Sequence, residues 1–317
     1  MKKTTIWLII AACLVLVGGA IFTIALMRAN WNFNSATPAL QTKTVQINEA
    51  FNGISIDTDT EDIVFRMSDD KTCKVVFVEH EKEPHTAVVK NGILTIEVTD
   101  ERNWQDRIIS YGNPSVTVYL PETEYKTLLI REHTGKITVP NTFRLESVDI
   151  AVSTGDVSFN ASASGQLRIE TDTGDIGMEG ISAGELHLKV TTGKVDVTSA
   201  DVKGDMEVTV STGKAMLQNI SCTNFQTTGS TGRITMENMI CREKLTVNRS
   251  TGDVTLNGCD AAELEIETNT GNVKGTLLSE KIFFVKTSTG KVEVPETMTG
   301  GKCKITTSTG DVIIQIQ

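Results

Sequence analysis

Aromatic side chains are scarce in this chain. They make up 5% of its 317 residues, while hydrophobic residues of all kinds make up 39%. A core must therefore be built mainly from Val, Ile, Leu, Met and Thr, which suit closely stacked β-strands. Trp7 lies in an apolar segment and Trp31 follows it, so Trp104 is the one tryptophan left to stack on a sugar. This disfavours a polysaccharide-acting enzyme, which we keep as a remote alternative.

Basic residues are also fewer than acidic residues. The chain has 30 Lys and Arg against 40 Asp and Glu, and its formal net charge is −10. A nucleic-acid-binding protein would carry a basic face, so we expect no nucleic-acid partner. The sequence also lacks a P-loop, a dinucleotide fingerprint, a Gly-x-Ser-x-Gly elbow and a zinc-protease motif. We therefore expect no enzyme activity, no cofactor and no metal.

What the chain does have is a threonine–glycine pair that recurs along its last two thirds. Successive glycines lie about 19–20 residues apart, a fixed period that is typical of a solenoid, in which each repeat forms one coil stacked on the previous one. The pairs are Thr134 and Gly135, Thr154 and Gly155, Thr173 and Gly174, Thr192 and Gly193, Thr212 and Gly213, Thr231 and Gly232, Thr251 and Gly252, Thr270 and Gly271, Thr289 and Gly290, and Thr309 and Gly310.

Apolar and polar residues alternate on both sides of this pair. Leu264 and Ile266 precede one glycine, and Val195 and Val197 follow another. A period of two indicates half-buried strands. The predicted fold class is all-β, a parallel β-solenoid (β-helix) with about 19–20 residues per coil and two strands joined at the Thr–Gly corner. A second, looser corner is rich in Gly, Ser, Asn and Ala. Hairpin turns of an antiparallel sheet are the alternative.

The corner itself has a predicted geometry. Glycine there is expected to adopt a positive φ or to allow close approach between coils. The threonine before it falls on the inward parity of the strand, so we expect it to face the core and to bond a backbone group with its hydroxyl.

The pattern divides the chain into four parts. Residues 1–28 form a cytoplasmic stub and a membrane helix, and residues 29–44 form a linker. Residues 45–134 form an N-terminal β cap with degenerate first coils. Residues 135–317 form the regular solenoid.

Both ends of the solenoid depart from the repeat. In the first degenerate coil Glu61 replaces the corner glycine, and Asn91 with Gly92 predicts a hairpin. The chain stops inside an apparent strand, residues 313–317. This leaves either an open edge or a locally covered end.

An uncharged run from Ile6 to Met27 lies near the N-terminus. It is long enough for the ~20 residues that a membrane-spanning helix needs. Lys2 and Lys3 before it, against Arg28 after it, predict an inside N-terminus and an extracytoplasmic body at the bacterial cytoplasmic membrane. A cleaved signal peptide is the alternative. The run is longer than a signal-peptide core and has no Ala-x-Ala site near its end.

Two further columns of the repeat could carry chemistry. The residue after each corner glycine is often charged, as in Asp156, Asp175 and Lys194. Because cations interrupt the aspartates, we expect a solvated charge ladder rather than calcium sites. Cys222 and Cys241 share one phase in adjacent coils. They are interpreted as small core residues, with a disulfide left open.

Two polar segments precede the regular coils. Residues 79–85 combine carboxylates with His80 and His85, which permits a metal site but fits a charged turn better. Residues 100–107 contain the one insertion that joins aromatic and charged side chains. We single out a possible interaction patch made of Trp104, Arg102, Arg107 and Tyr111, with packing of Trp104 over the cap as the alternative.

These segments together resemble a known family. The features are the alternating segment that ends at Pro121, the segment from Leu128 to Val139, and the serial Ser/Thr-Thr-Gly-Asp/Lys-Val units. They are similar to the bacterial putative-adhesin domain family of unknown function over roughly residues 45–317. The resemblance implies β-strand repeats, a frequent membrane anchor and a role in the cell envelope, with no catalytic residues. Ala215, Gly229 and Gly275 depart from the pattern, so we expect local irregularity of the coils near residues 213–232 and 271–276.

The leading hypothesis is a non-catalytic cell-surface β-solenoid for display or binding, adhesin-like, in cell-envelope homeostasis. Its partners would be the membrane, through the N-terminal helix, and a cell-wall polymer or protein. The alternative is an accessory sensor or regulator of envelope stress that acts through a membrane partner.

Overall fold

The structure is a computed structural model that describes residues 3–28, 40–102 and 112–317. The apolar N-terminal segment forms helix α1, Lys3–Arg28. Within these described ranges, no helix combines the length and the apolar content that crossing a membrane requires. The membrane anchor and its orientation stay predictions.

The rest of the regular structure in these ranges is one continuous sheet of 21 strands. The strands up to the first regular corner are β1 (Leu40–Ile47), β2 (Gly53–Thr58), β3 (Asp62–Met67), β4 (Cys73–His80), β5 (His85–Lys90), β6 (Ile93–Val98), β7 (Ser115–Leu120) and β8 (Glu124–Thr134). The later strands are β9 (Ile137–Val139), β10 (Arg144–Thr154), β11 (Val157–Phe159), β12 (Ser162–Thr173), β13 (Ile176–Val202), β14 (Met206–Thr231), β15 (Ile234–Thr251), β16 (Val254–Thr270), β17 (Val273–Leu277), β18 (Lys281–Thr289), β19 (Val292–Glu293), β20 (Gly301–Thr309) and β21 (Val312–Ile316).

Each regular coil has three inward-facing runs, one more than predicted. Equivalent residues of consecutive coils pair in parallel register, such as Leu188 with Val208 and Val197 with Leu217. Like side chains therefore stack in columns and enclose a buried apolar core, which confirms the stacked-coil solenoid. In the coil around Gly193 the buried residues are Leu186, Leu188 and Val190 before the corner, Val195 and Val197 after it, and Ala200 and Val202 on the third face.

The Thr–Gly corner turns where only glycine fits. Gly193 has a φ of 147°, in the region that favours glycine. A Cβ at this position would lie 2.0 Å from the carbonyl oxygen of Gly174 in the neighbouring coil. Positive φ and close backbone approach, the two reasons predicted for the glycine, are both confirmed.

The corner threonines face outward, so the prediction that they point into the core is wrong. All ten are exposed. The chain starts to turn before the threonine, and the last inward position lies three residues before the glycine. There the hydroxyls of Thr171 and Thr307 donate to the carbonyl oxygens of Gly155 and Gly271, each at 3.2 Å. The hydroxyl-to-backbone bond expected of the corner threonine is made by these residues.

The second corner is a column of small residues in the left-handed conformation. Their φ values lie between 51° and 66°, at Gly180, Ser199, Asn219, Asn238 and Gly258. Gly and Asn tolerate this conformation best, which explains the composition of the looser corner.

The third corner, which follows the face of Ala200 and Val202, accounts for the two coil lengths of 19 and 20 residues. The register between coils shifts by one residue there. Cys222 pairs with Cys241, but Asn224 pairs with Lys244, so the second pair is one residue further apart in the chain than the first. The extra residue is absorbed in a bulge at this corner.

The charged column after the corner glycines is tied to the backbone. Asp156 Oδ1 accepts a hydrogen bond from the N–H of Asp175 at 2.9 Å, and Asp175 Oδ1 accepts one from the N–H of Lys194 at 2.8 Å. These carboxylates thus cap amide groups of the neighbouring coil along the solenoid.

Coils at the N-terminal end stack out of chain order. The β2–β3 coil lies between the β6–β7 coil and the β8–β9 coil. Outside this stack, β5 pairs antiparallel with β6, and β4 pairs antiparallel with β7. Strand β1 in turn pairs antiparallel with β4. Asn91 and Gly92, with φ values of 54° and 77°, confirm the predicted hairpin.

The C-terminal end shows the same exchange. The β20–β21 coil lies between the β16–β17 coil and the β18–β19 coil. Strand β21 is therefore paired on both sides, so the locally covered end is the correct interpretation of residues 313–317. At this end of the described sheet, the free edge belongs instead to β18 and β19.

Gly229 does not interrupt its coil, in contrast to the predicted irregularity. Arg249 of the next coil is buried with 1% of its surface exposed, and its Nη1 donates to the carbonyl oxygen of Val210 at 3.1 Å. A Cβ on Gly229 would lie 2.0 Å from that Nη1, so the glycine makes room for the guanidinium. Burial lowers the pKa of Arg249. Pairing between the two coils is continuous here.

Cys222 and Cys241 are stacked, buried thiols. Their Sγ atoms are 3.5 Å apart and unbonded. The contact with Cys222 and burial together raise the pKa of the Cys241 thiol. The pair is a packed part of the core, and the disulfide left open by the sequence is not formed.

Candidate functional site

A group of ionisable side chains, several of them buried, gathers at the corner of the first coil, where Glu61 replaces glycine. It joins the two polar segments that the sequence singled out, the turn between β4 and β5 and the segment after β6. We call this group the corner cluster. Its members are Asp59, Glu61, Glu79, Glu83, His85, Asp100, Arg102 and Glu132.

Glu61 lets the chain turn here without glycine. Its Oε2 accepts hydrogen bonds from the N–H groups of Asp59 and Thr60, both at 2.8 Å. Burial alone would raise the pKa of Glu61, but contact with His85 and the two N–H groups outweigh it and lower that pKa. The carboxylate is therefore held in its ionised form.

His85 lies between two carboxylates with no exposed surface. Its Nδ1 is 2.9 Å from Oε2 of Glu79, and its Nε2 is 3.1 Å from Oε1 of Glu61. The second contact is close but poorly aligned for a hydrogen bond, so we treat it as an ion pair. Burial alone would lower the pKa of His85, but Glu61 and Glu79 raise it. The Phe77 ring stacks on the imidazole at 5.1 Å.

Arg102 is held by three carboxylates. Its Nη2 is 2.6 Å from Glu83 Oε1 and 3.6 Å from Asp59 Oδ2, and its Nε donates to Asp100 Oδ1 at 3.0 Å. Burial raises the pKa of Glu83 in spite of Arg102. Buried charge-assisted contacts of this kind fix geometry more strongly than exposed ones. Arg102 thus fastens the segment after β6 to the first coil.

Glu132 completes the cluster from β8, at the inward position three residues before Gly135. Burial raises its pKa to about 8. The hydroxyl of Thr58 donates to Oε2, and the N–H of Thr134 donates to Oε1 at 3.2 Å. Glu132 is therefore protonated at neutral pH, in a column that other coils fill with Val152 or Val190.

Three of these carboxylates could hold a cation. Oxygens of Asp59, Glu83 and Asp100 lie within 4.8 Å of one another. The guanidinium of Arg102 already contacts all three, so it supplies the positive charge that a metal would bring. Nearby His80 is buried, and both of its ring nitrogens lack a hydrogen-bond partner among the described residues. Burial and, to a smaller extent, the charge of Arg102 lower the pKa of His80, so its imidazole is kept neutral.

The contacts of the corner cluster are those of a structural clamp. Each of its carboxylates contacts a basic group, a hydroxyl or a backbone N–H within the described residues. The arrangement fixes Arg102, the last described residue before residues 103–111.

The structure places one residue of the predicted interaction patch. Arg102 lies in the corner cluster, whereas Trp104, Arg107 and Tyr111 lie outside the described residues. The patch stays a prediction. Sequence reasoning missed the buried role of Glu61 and Glu132. Glu61 stands at a position that the regular coils fill with Gly, and Glu132 at one that they fill with Val, Thr, Gly or Arg249. That mismatch is a signal the sequence contains.

Solved structures that match this chain include proteins from three bacteria. A putative cell adhesion protein from Clostridium sporogenes is 10% identical, with 88% of this chain and 100% of that chain covered and a TM-score of 0.24. A putative adhesin from Bacteroides fragilis is 14% identical, with coverage of 75% and 99% and a TM-score of 0.36. A putative lipid binding protein from Parabacteroides distasonis is 13% identical, with coverage of 74% and 94% and a TM-score of 0.30. At these values the likenesses carry no argument about function.

Comparison with curated proteins finds no match. The profile of one protein family matches residues 51–214 and 200–317, which together include the corner cluster and every regular coil. The chain therefore belongs to the Toastrack DUF4097 family.

Proposed function

We propose that this chain is a non-catalytic surface module that displays a binding segment at one end of a β-solenoid. The observation that carries this proposal is the clamp on Arg102. Three carboxylates contact Arg102, and residues 103–111 follow it directly in the chain. Fixing the residue from which a binding segment starts lowers the entropy cost of association.

The composition of that segment supports a binding role. Trp104, Arg107 and Tyr111 are residue types that contribute strongly to interfaces. The coils beyond it are nearly constant in length, which leaves no long loops to form a catalytic cleft. The expected partner is a cell-wall polymer or an envelope protein, and the expected role is adhesion or envelope homeostasis.

Binding to cell wall tests this proposal. The full chain, purified in a nonionic detergent, is pelleted with purified cell-wall sacculi over a range of protein concentrations. We expect saturable binding that Trp104→Ala weakens by about tenfold or more, as for other interface aromatics. Arg102→Lys should also weaken it, because lysine cannot contact three carboxylates at once.

A matched control is Arg168→Lys. This exposed arginine pairs with Glu170 on a regular coil and should not affect binding. If the wild-type chain pellets with neither sacculi nor an envelope protein fraction, the binding function is wrong. Release of soluble sugar from the sacculi would instead point to the polysaccharide-acting alternative.

We also propose that α1 holds the chain in the cytoplasmic membrane with the solenoid outside. The two lysines before the apolar run and the single arginine after it support this orientation. Protease added to intact protoplasts should degrade the solenoid while a detergent-free wash leaves the chain in the membrane fraction. Full protection from protease, or release by the wash, would contradict this placement.

A further inference from the structure

The coil formed by β18 and β19 is the open end of the solenoid. Within the described residues, β18 pairs with β20 alone and β19 with β21 alone. One row of backbone N–H and C=O groups on each strand therefore has no strand beside it. Such an edge is a template for pairing with another chain.

The core is incompletely covered at this end. Phe283 and Val285 face inward but are partly exposed, whereas Cys303 and Ile305 in the adjacent coil are 1% and 0% exposed. The outward side of β18 is apolar too. Ile282 is 38% exposed and Phe284 is 56% exposed.

The sequence along this edge is complementary to itself when reversed. Residues 280–286 read Glu-Lys-Ile-Phe-Phe-Val-Lys. In an antiparallel pairing of two copies centred on Phe283, Glu280 lies opposite Lys286 of the second copy, and Ile282 lies opposite Phe284. Opposite charges and apolar pairs across strands are stabilising, and no like charges meet. Phe283 of each copy would then lie over the open core of the other.

Other arrangements of two copies are less favourable. Parallel stacking of two β18 strands would oppose Glu280 with Glu280 and Lys286 with Lys286. Stacking β18 on the N-terminal end would require displacement of β4 and β5, which cover that end. Antiparallel pairing of like ends also closes after two copies, because it is a two-fold interface.

We propose that the β18 edge is an interaction surface for a second copy of this chain, which joins two solenoids end to end. The pairing is antiparallel along residues 280–286. Lys281 takes no part in the charge pairing, because its Nζ is held 2.6 Å from Asp260 Oδ1 in its own chain.

Charge reversal tests the pairing. The mass of the full chain, purified in a nonionic detergent, is measured by sedimentation equilibrium over a range of concentrations with the detergent contribution matched. We expect a monomer–dimer equilibrium of the 34.4 kDa chain. Lys286→Glu places two glutamates opposite each other at both ends of the interface. It should raise the dissociation constant by about tenfold or more. Glu280→Lys should do the same.

The combined variant, Glu280→Lys with Lys286→Glu, restores opposite charges across the interface and should restore the dimer. Lys214→Glu, at an exposed position far from β18, is the matched control and should leave the equilibrium unchanged. All of these positions are exposed or at an edge, and far-ultraviolet circular dichroism checks that each variant folds.

Three results would overturn the proposal. The first is a wild-type chain that stays monomeric up to ~100 μM, a concentration at which weak specific pairs associate. The second is a dimer that the single reversals do not weaken, which would place the contact elsewhere, including α1. The third is a double variant that fails to recover, which would exclude the antiparallel charge pairing.

Discussion

The two ends of the solenoid protect the core in different ways. At the N-terminal end, β1, β4 and β5 lie antiparallel outside the stacked coils, and the corner cluster buries ion pairs beneath them. At the other end, β18 and β19 are free on one side, and Phe283 is partly exposed. One end is closed by polar contacts that demand specific partners, and the other presents apolar surface.

This difference shows which residues determine the order of the coils in a repeat protein. Every coil offers nearly the same inward pattern, so stacking alone does not say which coil comes last. Residues that break the pattern decide it. Glu61 at a glycine position marks the closed end, and Phe284 at an outward position marks the open end. The difference between the ends can be tested through such residues.

The largest expected effect comes from giving the first coil the residue that the repeat prefers. Glu61→Gly removes the carboxylate beside His85 and leaves a buried, charged imidazole with one partner fewer. Breaking a buried pair in this way costs about 3–5 kcal/mol of unfolding free energy. Urea denaturation measures the loss, and hydrogen exchange should show it in β5 and β6 before β20.

Glu61→Gln is the matched variant. Its amide oxygen can still accept the N–H groups of Asp59 and Thr60, so it should lose less stability than Glu61→Gly. Should Glu61→Gly prove as stable as the wild type, the closed end would depend on coil stacking rather than on the corner cluster.

The second effect is a pH dependence confined to the closed end. The pKa of Glu132 is about 8 in the folded chain and its ordinary value is 4.5. Between these values the folded state holds a proton that the unfolded state has released, so stability falls as pH rises, by at most about 1.4 kcal/mol per pH unit. The raised pKa of His85 acts in the same direction above its ordinary 6.5, since its stabilisation is lost as pH rises through the folded value.

Glu61 has the opposite sign. Its lowered pKa means that its contribution is lost as pH falls below the ordinary 4.5. The closed end should therefore be most stable near pH 4.5, and its stability should fall from there as pH rises towards 8. Hydrogen exchange of β2, β5 and β8 at several pH values checks this. Glu132→Gln, which carries no titrating proton, should flatten the fall between pH 4.5 and 6.5, below the range in which His85 contributes. A fall of equal size in β18 would contradict a local origin.

Much of the regular coil could be predicted from the sequence, because local patterns determine it. The inward residues Leu186 and Val195 and the geometry of Gly193 follow from alternation and from the need for positive φ. The alternation of apolar and polar residues gave a wrong prediction of side-chain direction where the chain bends. It placed Thr173 inside, although the turn begins before this residue and carries it outward.

The ends and the corner cluster could not be predicted in the same way. The exchange of coil order depends on which copies of one pattern stack on each other, and identical patterns do not distinguish the choices. The cluster joins Glu61 to His85 and Arg102 across strands that are distant in the chain. The sequence does show single residues that depart from the repeat, such as Glu132 and Gly229. The residues that they contact can be identified only from the folded structure.

The smallest expected effect compares one substitution at equivalent positions. Val247 and Val285 occupy the same inward column, linked through Ile266 and Ile305. Val247 is 1% exposed, so Val247→Ala should cost about 2 kcal/mol from lost burial and an internal cavity. Val285 is partly exposed in a single chain, so Val285→Ala should cost about 1 kcal/mol or less at low protein concentration.

Pairing with a second copy would bury Val285, and the free-energy cost of Val285→Ala should then rise with protein concentration. In a Lys286→Glu background that rise should disappear. Equal costs for the two substitutions at every concentration, with and without Lys286→Glu, would mean that Val285 is already covered within its own chain and that the two ends are closed alike.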